Sequence, residues 1–307
     1  MTKPTLVVAL GGNALLRRGE PLEANVQRLN IASAVEAIAA LTTDWNVVLV
    51  HGNGPQVGLL ALQNSAYTAV KPYPLDILVA ETQGMIGYML QQELQNALPG
   101  TPIVTMLTQV EVDSQDPAFL LPTKYIGPVY DKAEADLLSL EKGWEFKQDG
   151  EYIRRVVPSP RPLNIVESTS IKQLINHGSL VICAGGGGIP VVRKGDGLIG
   201  VEAVIDKDLS AAFLAKQISA DALLILTDTD AVYINWGTDK QEALKNIQPE
   251  QLAEMEFDAG SMGPKINAAC EFVNATQGNV GIGCLADGAS ILKGLKGTLI
   301  TAKLICQ

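Results

Sequence analysis

The sequence predicts an α/β fold in which helices cover both faces of a mainly parallel sheet. Short apolar runs recur along the chain, mostly separated by segments with helical periodicity, and three of them lead directly into a glycine-rich loop. This alternation is typical of parallel sheets. The predicted strands span residues 5–10, 46–50, 102–107, 180–184, 222–227 and 279–284.

Crossover helices are predicted between these strands. Residues 25–40 and 77–98 place apolar side chains at helical spacing, which indicates helices packed on a sheet. The chain has 307 residues, of which 47% are hydrophobic and 18% charged, enough to build a large core. We therefore expect residues 1–307 to form one domain.

Residues 117–160 interrupt the strand and helix alternation with a segment rich in proline and charge. Asp149-Gly150 lies between two alternating stretches, which is a strong hairpin signal. A two-stranded hairpin is marginal alone, so the segment is expected to form a small subdomain resting on the main body. From these residues, a lid and a surface hairpin without function are equally good interpretations.

Composition argues against several classes of protein. A net charge of -10 disfavours nucleic acid as a partner, because binding it needs clustered basic residues. No apolar run approaches the ~18 residues of a membrane helix, and the first apolar run is too short for a signal peptide. Four scattered cysteines indicate neither a disulfide framework nor zinc, and two histidines leave little for a metal cluster. We expect a cytoplasmic protein without its own metal-binding residues.

The three glycine-rich loops predict an anion pocket at the edge of the sheet. Glycine at a strand-to-helix turn lets backbone N–H groups approach an anion closely. No Gly-Lys dipeptide of a Walker loop occurs, so any lysine for phosphate chemistry must come from elsewhere. The loops are Gly11-Gly12-Asn13, Gly52-Asn53-Gly54 and Gly185–Gly188, and His51 is interpreted as ordering the second.

Two lysines stand in predicted helix first turns, where a cation opposes the helix dipole by ~0.3–1 kcal/mol. One helix is predicted to start near Asp206, which places Lys207 and Asp208 in its first turn. The other is predicted to start at Pro264, followed by Lys265. An anionic ligand would make both lysines favourable; alternatively, each simply extends into solvent. Asp208 could cap its helix or hold the two lysines together.

Acidic and hydroxyl side chains follow the predicted strand 222–227. Thr227, Asp228 and Asp230 end this strand, with Tyr233 behind them. Carboxylates at the carboxyl end of a strand lie where open α/β sheets bind ligands. A solvated acidic turn explains the same pattern equally well.

Taken together, several sequence segments closely resemble the motifs of the carbamate kinases, which belong to the amino acid kinase superfamily. They are ALGGNALL, VHGNGPQVG, QGMIGYML, PTKYIGPVY, RRVVPSP, GGGGIPV, EAVIDKDL, LTDTDAVYINWG and GSMGPK. The resemblance implies a three-layer αβα sandwich on a mainly parallel sheet, with 117–160 as a protruding lid. It also implies that 1–205 mainly serve carbamate and the phosphoryl group, and 206–307 mainly the nucleotide.

The resemblance implies reversible phosphoryl transfer between carbamoyl phosphate and ADP, giving ATP and carbamate, in the ATP-forming direction. It further implies Mg²⁺ with the nucleotide, and a homodimer. By this resemblance, the catalytic residues of the family correspond to Lys124, Lys207, Asp208 and Lys265. Substrate binding would involve Gly11, Gly12, Asn13, Gly52, Asn53, Gly54, Gly186 and Gly187, and nucleotide binding Thr227, Asp228, Tyr233, Met262 and Gly263.

One position departs from the family pattern. The lid motif usually reads Lys-Pro-Ile-Gly, and here Tyr125 replaces the proline, which adds backbone freedom beside Lys124. Two alternatives stay open: another amino acid kinase acting on a different small carboxylate or phosphate, and a non-catalytic protein that binds carbamoyl phosphate. A dinucleotide-binding dehydrogenase is excluded, since no Gly-x-Gly-x-x-Gly follows the first strand.

Overall fold

A computed structural model describes residues 3–17, 19–258 and 260–302, except for the side chain of Asn13. Its strands are β1 Thr5–Leu10, β2 Asn46–His51, β3 Ile103–Thr105, β4 Gln109–Val112, β5 Lys124–Tyr130, β6 Glu145–Asp149, β7 Tyr152–Val157, β8 Pro162–Ile165, β9 Leu180–Ile182, β10 Ile189–Lys194, β11 Gly197–Gly200, β12 Ala222–Thr227, β13 Val232–Ile234, β14 Glu242–Leu244, β15 Asn246–Ile247, β16 Asn279–Cys284 and β17 Thr298–Ile300.

Its α-helices are α1 Ala24–Leu41, α2 Gly54–Ala66, α3 Leu75–Ala97, α4 Lys132–Lys142, α5 Ser168–Asn176, α6 Lys207–Ile218, α7 Pro249–Ala253, α8 Met262–Thr276 and α9 Gly288–Ile291. Each strand and crossover helix predicted from the sequence is present, with small shifts at the ends. Helix α8 begins at Met262, two residues before the predicted start at Pro264, so Lys265 is its fourth residue. No described helix is both long and apolar enough to cross a membrane.

The main sheet has eight strands in the order β15-β17-β16-β12-β1-β2-β9-β3. All of its neighbouring strands are parallel except β16 and β17. Its central strands are almost fully buried, which explains why they read as continuous apolar runs. Because these strands run in the same direction, their carboxyl ends meet at one edge of the sheet.

The two faces of the main sheet are covered by different helices. On one face, Leu6, Val8 and Leu10 of β1 share a core with side chains of α1 and α3. On the other face, Val7 and Ala9 share a core with side chains of α5, α6 and α8. Alternate residues of one strand thus enter opposite cores, as the pleat requires. This arrangement confirms the predicted three-layer αβα fold.

A second sheet was not predicted from the sequence. It has the order β11-β10-β4-β8, with β4 and β10 parallel and the other pairs antiparallel. Its strands are short, and β11 is exposed or half-buried, so they lack the continuous apolar signal of the main sheet. A further two-stranded pair joins β13 and β14.

Within the 117–160 segment, β5, β7 and β6 form a three-stranded antiparallel sheet accompanied by α4, which we term the β5–β7 subdomain. The predicted hairpin is confirmed, since Asp149 pairs with Tyr152 and Gly150 takes a φ of 62°. The subdomain meets the main body at two glycines. A Cβ on Gly58 of α2 would lie 2.0 Å from the Cα of Gly127 in β5, so only glycine permits this backbone contact.

Candidate active site

Two of the predicted glycine loops lie where the carboxyl ends of β1, β2 and β12 meet. Gly11 follows β1, and a Cβ at this position would lie 2.6 Å from the carbonyl oxygen of Leu226 in β12. Gly52 follows β2, and its ideal Cβ position is 3.5 Å from Cδ of Lys207. Gly54 begins α2. The predicted Asn13 side chain lies outside the described part of the structure.

The third loop, Gly185–Gly188, is buried and supports its neighbours. The space beside Gly186 is filled by the side chain of Asn53, which is itself buried and donates from Nδ2 to Oγ1 of Thr82 at 2.8 Å. The carbonyl oxygen of Gly187 accepts a hydrogen bond from Oγ of Ser210 in α6 at 2.6 Å. This loop therefore fixes the position of α6, the helix that carries Lys207.

The side chain of Asp208 joins the two predicted first-turn lysines. Its Oδ1 lies 2.5 Å from Nζ of Lys207, and its Oδ2 lies 3.1 Å from Nζ of Lys265. Lys265 also donates to the carbonyl oxygen of Ser261 at 3.4 Å. The side chain of Asp208 is 3% exposed, while those of Lys207 and Lys265 are 11% and 16% exposed. The amino termini of α6 and α8 thus share one nearly buried cluster of two cations and one anion.

Lys124 pairs with a different carboxylate, Asp206. Its Nζ lies 2.5 Å from Oδ2 of Asp206. The other oxygen, Oδ1, accepts from the backbone N–H groups of Asp208 and Leu209 at 2.9 and 3.3 Å, which makes Asp206 the N-cap of α6. One carboxylate therefore ties the β5–β7 subdomain to α6. We call the group formed by Lys207, Asp208 and Lys265 the lysine cluster.

Burial and charge shift the pKa values of these groups in different directions. Burial lowers the pKa of Lys207, and the neighbouring charge of Asp208 opposes this shift. Burial also opposes the charged form of Lys265, but the charge and hydrogen bond of Asp208 outweigh it and raise its pKa. Burial opposes ionisation of Asp206, yet the charge and hydrogen bond of Lys124, with the charge of Lys207, lower its pKa. Contacts between opposite charges thus favour the charged forms that burial alone would disfavour.

Two adjacent cavities open at this edge of the sheet. The first, of about 530 Å³, is lined by residues from the β1 and β12 loops and the lysine cluster: Gly11, Gly12, Ala14, Arg154, Lys207, Leu226, Thr227, Asp228, Thr229, Gly260, Ser261, Met262, Lys265 and Leu285. We call it the lysine cavity. The second, of about 420 Å³, is lined by both members of the Lys124–Asp206 pair and is called the lid cavity.

Three of the five predicted nucleotide-binding residues, Thr227, Asp228 and Met262, line the lysine cavity. Tyr233 is not among the described residues that line it; its hydroxyl instead donates to Oδ1 of Asp230 at 2.8 Å. Gly263 lines a separate cavity of about 430 Å³ beside α7 and α8. The nucleotide-binding roles of Gly263 and Tyr233 therefore remain predictions.

Sequence reasoning did not assign roles to Asp206, Arg154 and Ser210. From the sequence, Asp206 indicates only the start of a helix. A sign of a further role is that a second aspartate, Asp208, follows it two residues later. Arg154 lies in β7 and lines both cavities. Ser210 is completely buried in α6, and nothing in its local sequence indicates its bond to the glycine loop.

Comparison with known proteins places the chain in a family. A sequence profile of the Amino acid kinase family matches residues 4–283. The carbamate kinase of Rhizobium meliloti (strain 1021) is 56% identical over 301 residues, covering 97% of this chain and 93% of that protein. The carbamate kinase of Haemophilus influenzae is 55% identical over 300 residues, covering 97% of each chain.

Solved structures agree with this assignment. The carbamate kinase from Giardia lamblia bound to AMP-PNP superimposes with a TM-score of 0.89 at 42% identity, covering 98% of this chain and 99% of that chain. The same enzyme bound to citric acid gives a TM-score of 0.92 at 43% identity with the same coverage. The chain belongs to the amino acid kinase family, and within it to the carbamate kinases.

Proposed function

We propose that the protein catalyses reversible phosphoryl transfer between carbamoyl phosphate and ADP, giving ATP and carbamate. The observation that carries this proposal is the cluster in which Asp208 holds Lys207 and Lys265 at the amino termini of two helices, beside a cavity. Phosphoryl transfer needs alignment of the reactants and stabilisation of charge on the moving group. Two lysines and two helix amino termini supply positive potential where that group would pass.

In this proposal, Lys207 and Lys265 stabilise the charge of the transferred phosphoryl group, and Asp208 positions them. Burial removes most of the solvation of the two ammonium groups. Without Asp208, no carboxylate would offset the repulsion between them. The carboxylate keeps both charged and fixes their separation. Each of its two oxygens contacts one of the lysines, so its proposed role is to position them.

The two substrates, carbamoyl phosphate and ADP, are assigned to opposite sides of the lysine cavity. In the wall of this cavity, Gly11 and Gly12 would face the carbamate and phosphoryl part, and Thr227, Asp228 and Met262 the nucleotide. Gly52 would assist from its position beside the side chain of Lys207. What supports this division is that Gly11 and Gly12 follow β1, whereas the nucleotide candidates follow β12 and begin α8. The remaining predicted substrate-binding residues are proposed to contribute by shaping the two loops that contain them. They are Asn53, Gly54, Gly186 and Gly187.

Lys124 is proposed to reach the substrate from the β5–β7 subdomain, which would act as a lid. Its present partner, Asp206, directly precedes Lys207, so Lys124 starts close to the lysine cluster. Its side chain is 29% exposed, more than those of Lys207 and Lys265. A substrate anion could therefore compete with Asp206 for the ammonium group.

The residues of the proposed site fit Mg²⁺ that binds together with the nucleotide. Protein sites for Mg²⁺ commonly combine one or two carboxylates with substrate phosphates and water. Asp228 supplies a carboxylate at the wall of the lysine cavity. Among the described residues, no group of three His, Cys, Asp or Glu side chains could hold a metal by itself. When bound, the ion would neutralise phosphate charge; Asp228 would orient the nucleotide that carries it.

We propose the ATP-forming direction, because carbamate falls apart to ammonia and carbon dioxide and so draws the reaction toward ATP. A homodimer is also proposed, on the family resemblance alone. Sedimentation velocity would test it, with a monomer as the contradicting result.

The proposed reaction is tested with a donor and acceptor panel. Carbamoyl phosphate, acetyl phosphate and aspartyl phosphate are each supplied with ADP and Mg²⁺, and ATP is measured by a coupled luminescent assay. We expect rapid ATP formation from carbamoyl phosphate alone. Preference for another acyl phosphate would indicate a different amino acid kinase, and binding of carbamoyl phosphate without turnover would indicate a non-catalytic protein.

A further inference from the structure

Arg154 lies where the lysine cavity and the lid cavity adjoin. Arg154 and Gly260 are the two residues that line both cavities. Glycine has no side chain, so Arg154 supplies the only side-chain group shared by their described walls. Arg154 belongs to β7, and it therefore brings a cation from the β5–β7 subdomain to the candidate active site.

Contacts with its own subdomain hold Arg154 in place. Nη1 donates to Oδ2 of Asp149 at 3.1 Å, and Nη2 donates to the carbonyl oxygen of Gly127 at 3.1 Å. The guanidinium also lies 5.7 Å from the ring centre of Tyr125, within cation–π range. The ring of Tyr125 thus stands beside Arg154 at the position where the family motif usually has proline.

These contacts leave hydrogen-bond donors on Arg154 unused. Guanidinium has five N–H groups, and each Nη carries two of them. Within the described residues, Nη1 and Nη2 make one bond each, and the buried Nε has no partner. The side chain remains 22% exposed. Arg154 is therefore fixed on one side and can donate to a ligand on the other.

Building on the proposed function, we infer that Arg154 binds oxygens of the transferred phosphoryl group on the side of the lysine cavity that adjoins the lid cavity. The planar fork of arginine matches phosphate geometry better than the single ammonium of lysine. Lys207 and Lys265 approach the lysine cavity from the main body, and Lys124 approaches the lid cavity. Arg154 bridges these two groups of cations, and it belongs to the catalytic residues.

The neighbouring Arg155 provides a matched control. Successive residues of a strand point to opposite faces, and Arg155 faces away from the candidate active site. It lies 3.8 Å above the ring centre of Trp144 and lines a separate cavity of about 770 Å³. Arg155→Lys therefore changes the same strand and the same side-chain type without touching the lysine cavity.

The kinetic test compares Arg154→Lys and Arg154→Gln with Arg155→Lys in the full-length protein. Loss of a charge-assisted hydrogen bond typically reduces the rate by roughly 10- to 100-fold. We expect kcat/KM for carbamoyl phosphate to fall by that factor in both Arg154 variants. The fall should be larger for Gln, and Arg155→Lys should stay within about threefold of the unmodified protein. Equal kinetics for Arg154→Lys, Arg154→Gln and the unmodified protein would overturn the inference.

A binding test separates this inference from the proposed reaction. Inorganic pyrophosphate is added, and the shift in Tm is measured. We expect a clear upward shift for the unmodified protein and for Arg155→Lys, and a much smaller one for Arg154→Gln. This result is expected even if the protein forms no ATP from carbamoyl phosphate. No shift in the unmodified protein, or an equal shift in Arg154→Gln, would overturn phosphate binding by Arg154.

Discussion

Nζ of Lys265 in α8 lies 3.1 Å from Oδ2 of Asp208 in α6, so two residues 57 positions apart in sequence join the amino termini of two helices. The contact explains why both helices can carry a lysine in the first turn, where the dipole disfavours it. The anion of Asp208 compensates for that effect in the absence of ligand. A bound phosphoryl group would add to the same compensation.

Lys265→Ala is expected to lower kcat by about 10²–10³-fold with the fold intact, because it removes one group that stabilises charge in the transition state. Steady-state ATP formation from carbamoyl phosphate measures this. Lys216→Ala is the matched control, since Lys216 is an exposed lysine in the last turn of α6. An unchanged kcat in Lys265→Ala would contradict the role assigned to Lys265.

Asp208→Asn is expected to shift the alkaline limb of the pH–rate profile to lower pH. The charge of Asp208 raises the pKa values of Lys207 and Lys265, so its removal lets each ammonium lose its proton at lower pH. Activity that requires both charges then declines earlier as pH rises. Asp287→Asn, which removes a surface pair with Lys296, serves as the control. An unshifted limb in Asp208→Asn would show that Asp208 does not set these pKa values.

Substitutions of Asp206 separate its two roles. Asn caps a helix as well as Asp, so Asp206→Asn loses mainly the ion pair with Lys124, whereas Asp206→Ala loses the cap as well and costs about 1 kcal/mol more. The folded-state pKa of Asp206 is lowered, so its ionised form stabilises the protein above the ordinary pKa of 3.8. That contribution is lost as pH falls below this value.

Urea unfolding at pH 7 and pH 3 measures both effects. The stability difference between the unmodified protein and Asp206→Asn should be larger at pH 7 and smaller at pH 3. A difference that is the same at both pH values would contradict the ion-pair contribution.

His51 is expected to make stability fall as the pH is lowered from 6.5 toward 4. Burial lowers its pKa to about 4, while its Nδ1 lies 2.9 Å from the carbonyl oxygen of Gly52. Below pH 6.5 the unfolded chain binds a proton that the folded protein does not, which costs up to about 3 kcal/mol of stability. His51→Gln should flatten this dependence, whereas the exposed His177→Gln should not. Equal slopes in the two variants would refute the assignment.

Tyr125→Phe is expected to loosen β6 without impairing catalysis. The hydroxyl of Tyr125 in β5 donates to the carbonyl oxygen of Gln148 in β6 at 2.5 Å, and so ties together strands that are not neighbours. Loss of this bond should cost about 0.5–1.5 kcal/mol locally. Hydrogen exchange in β6 should accelerate relative to β1, with kcat within about twofold. Unchanged exchange in β6 would exclude this role for the hydroxyl.

The sequence was sufficient to predict six of the eight strands of the main sheet, because its central strands are buried on both faces and read as uninterrupted apolar runs. The very short strands β15 and β17 were not predicted. The second sheet escaped prediction because its strands are short and partly exposed, and their pairing is set by tertiary contacts. The early start of α8 was missed for a local reason: proline is favoured at the first helical position, and here Pro264 is the third residue of the helix.

At the candidate site, the first-turn placement of Lys207 and Lys265 was predictable from helix signals, whereas the contact of Asp208 with both lysines was only one of two open alternatives. The contact between Nδ1 of His51 and the carbonyl oxygen of Gly52 supports the interpretation that His51 orders the Gly52 loop, which stays a prediction. The Lys124–Asp206 pair and the position of Arg154 were not predictable. Both depend on how the β5–β7 subdomain docks on the main body, which no local pattern specifies.

The protein is proposed to catalyse transfer of a phosphoryl group from carbamoyl phosphate to ADP, with the lysine cluster stabilising charge on that group. This proposal is tested most directly by following ³¹P resonances of carbamoyl phosphate, ADP and ATP in one sample with Mg²⁺ and the unmodified protein. We predict loss of the carbamoyl phosphate signal with matching growth of the ATP signals, at a rate that depends on protein concentration. Loss of carbamoyl phosphate at its spontaneous rate, with no ATP formed, would contradict the claim.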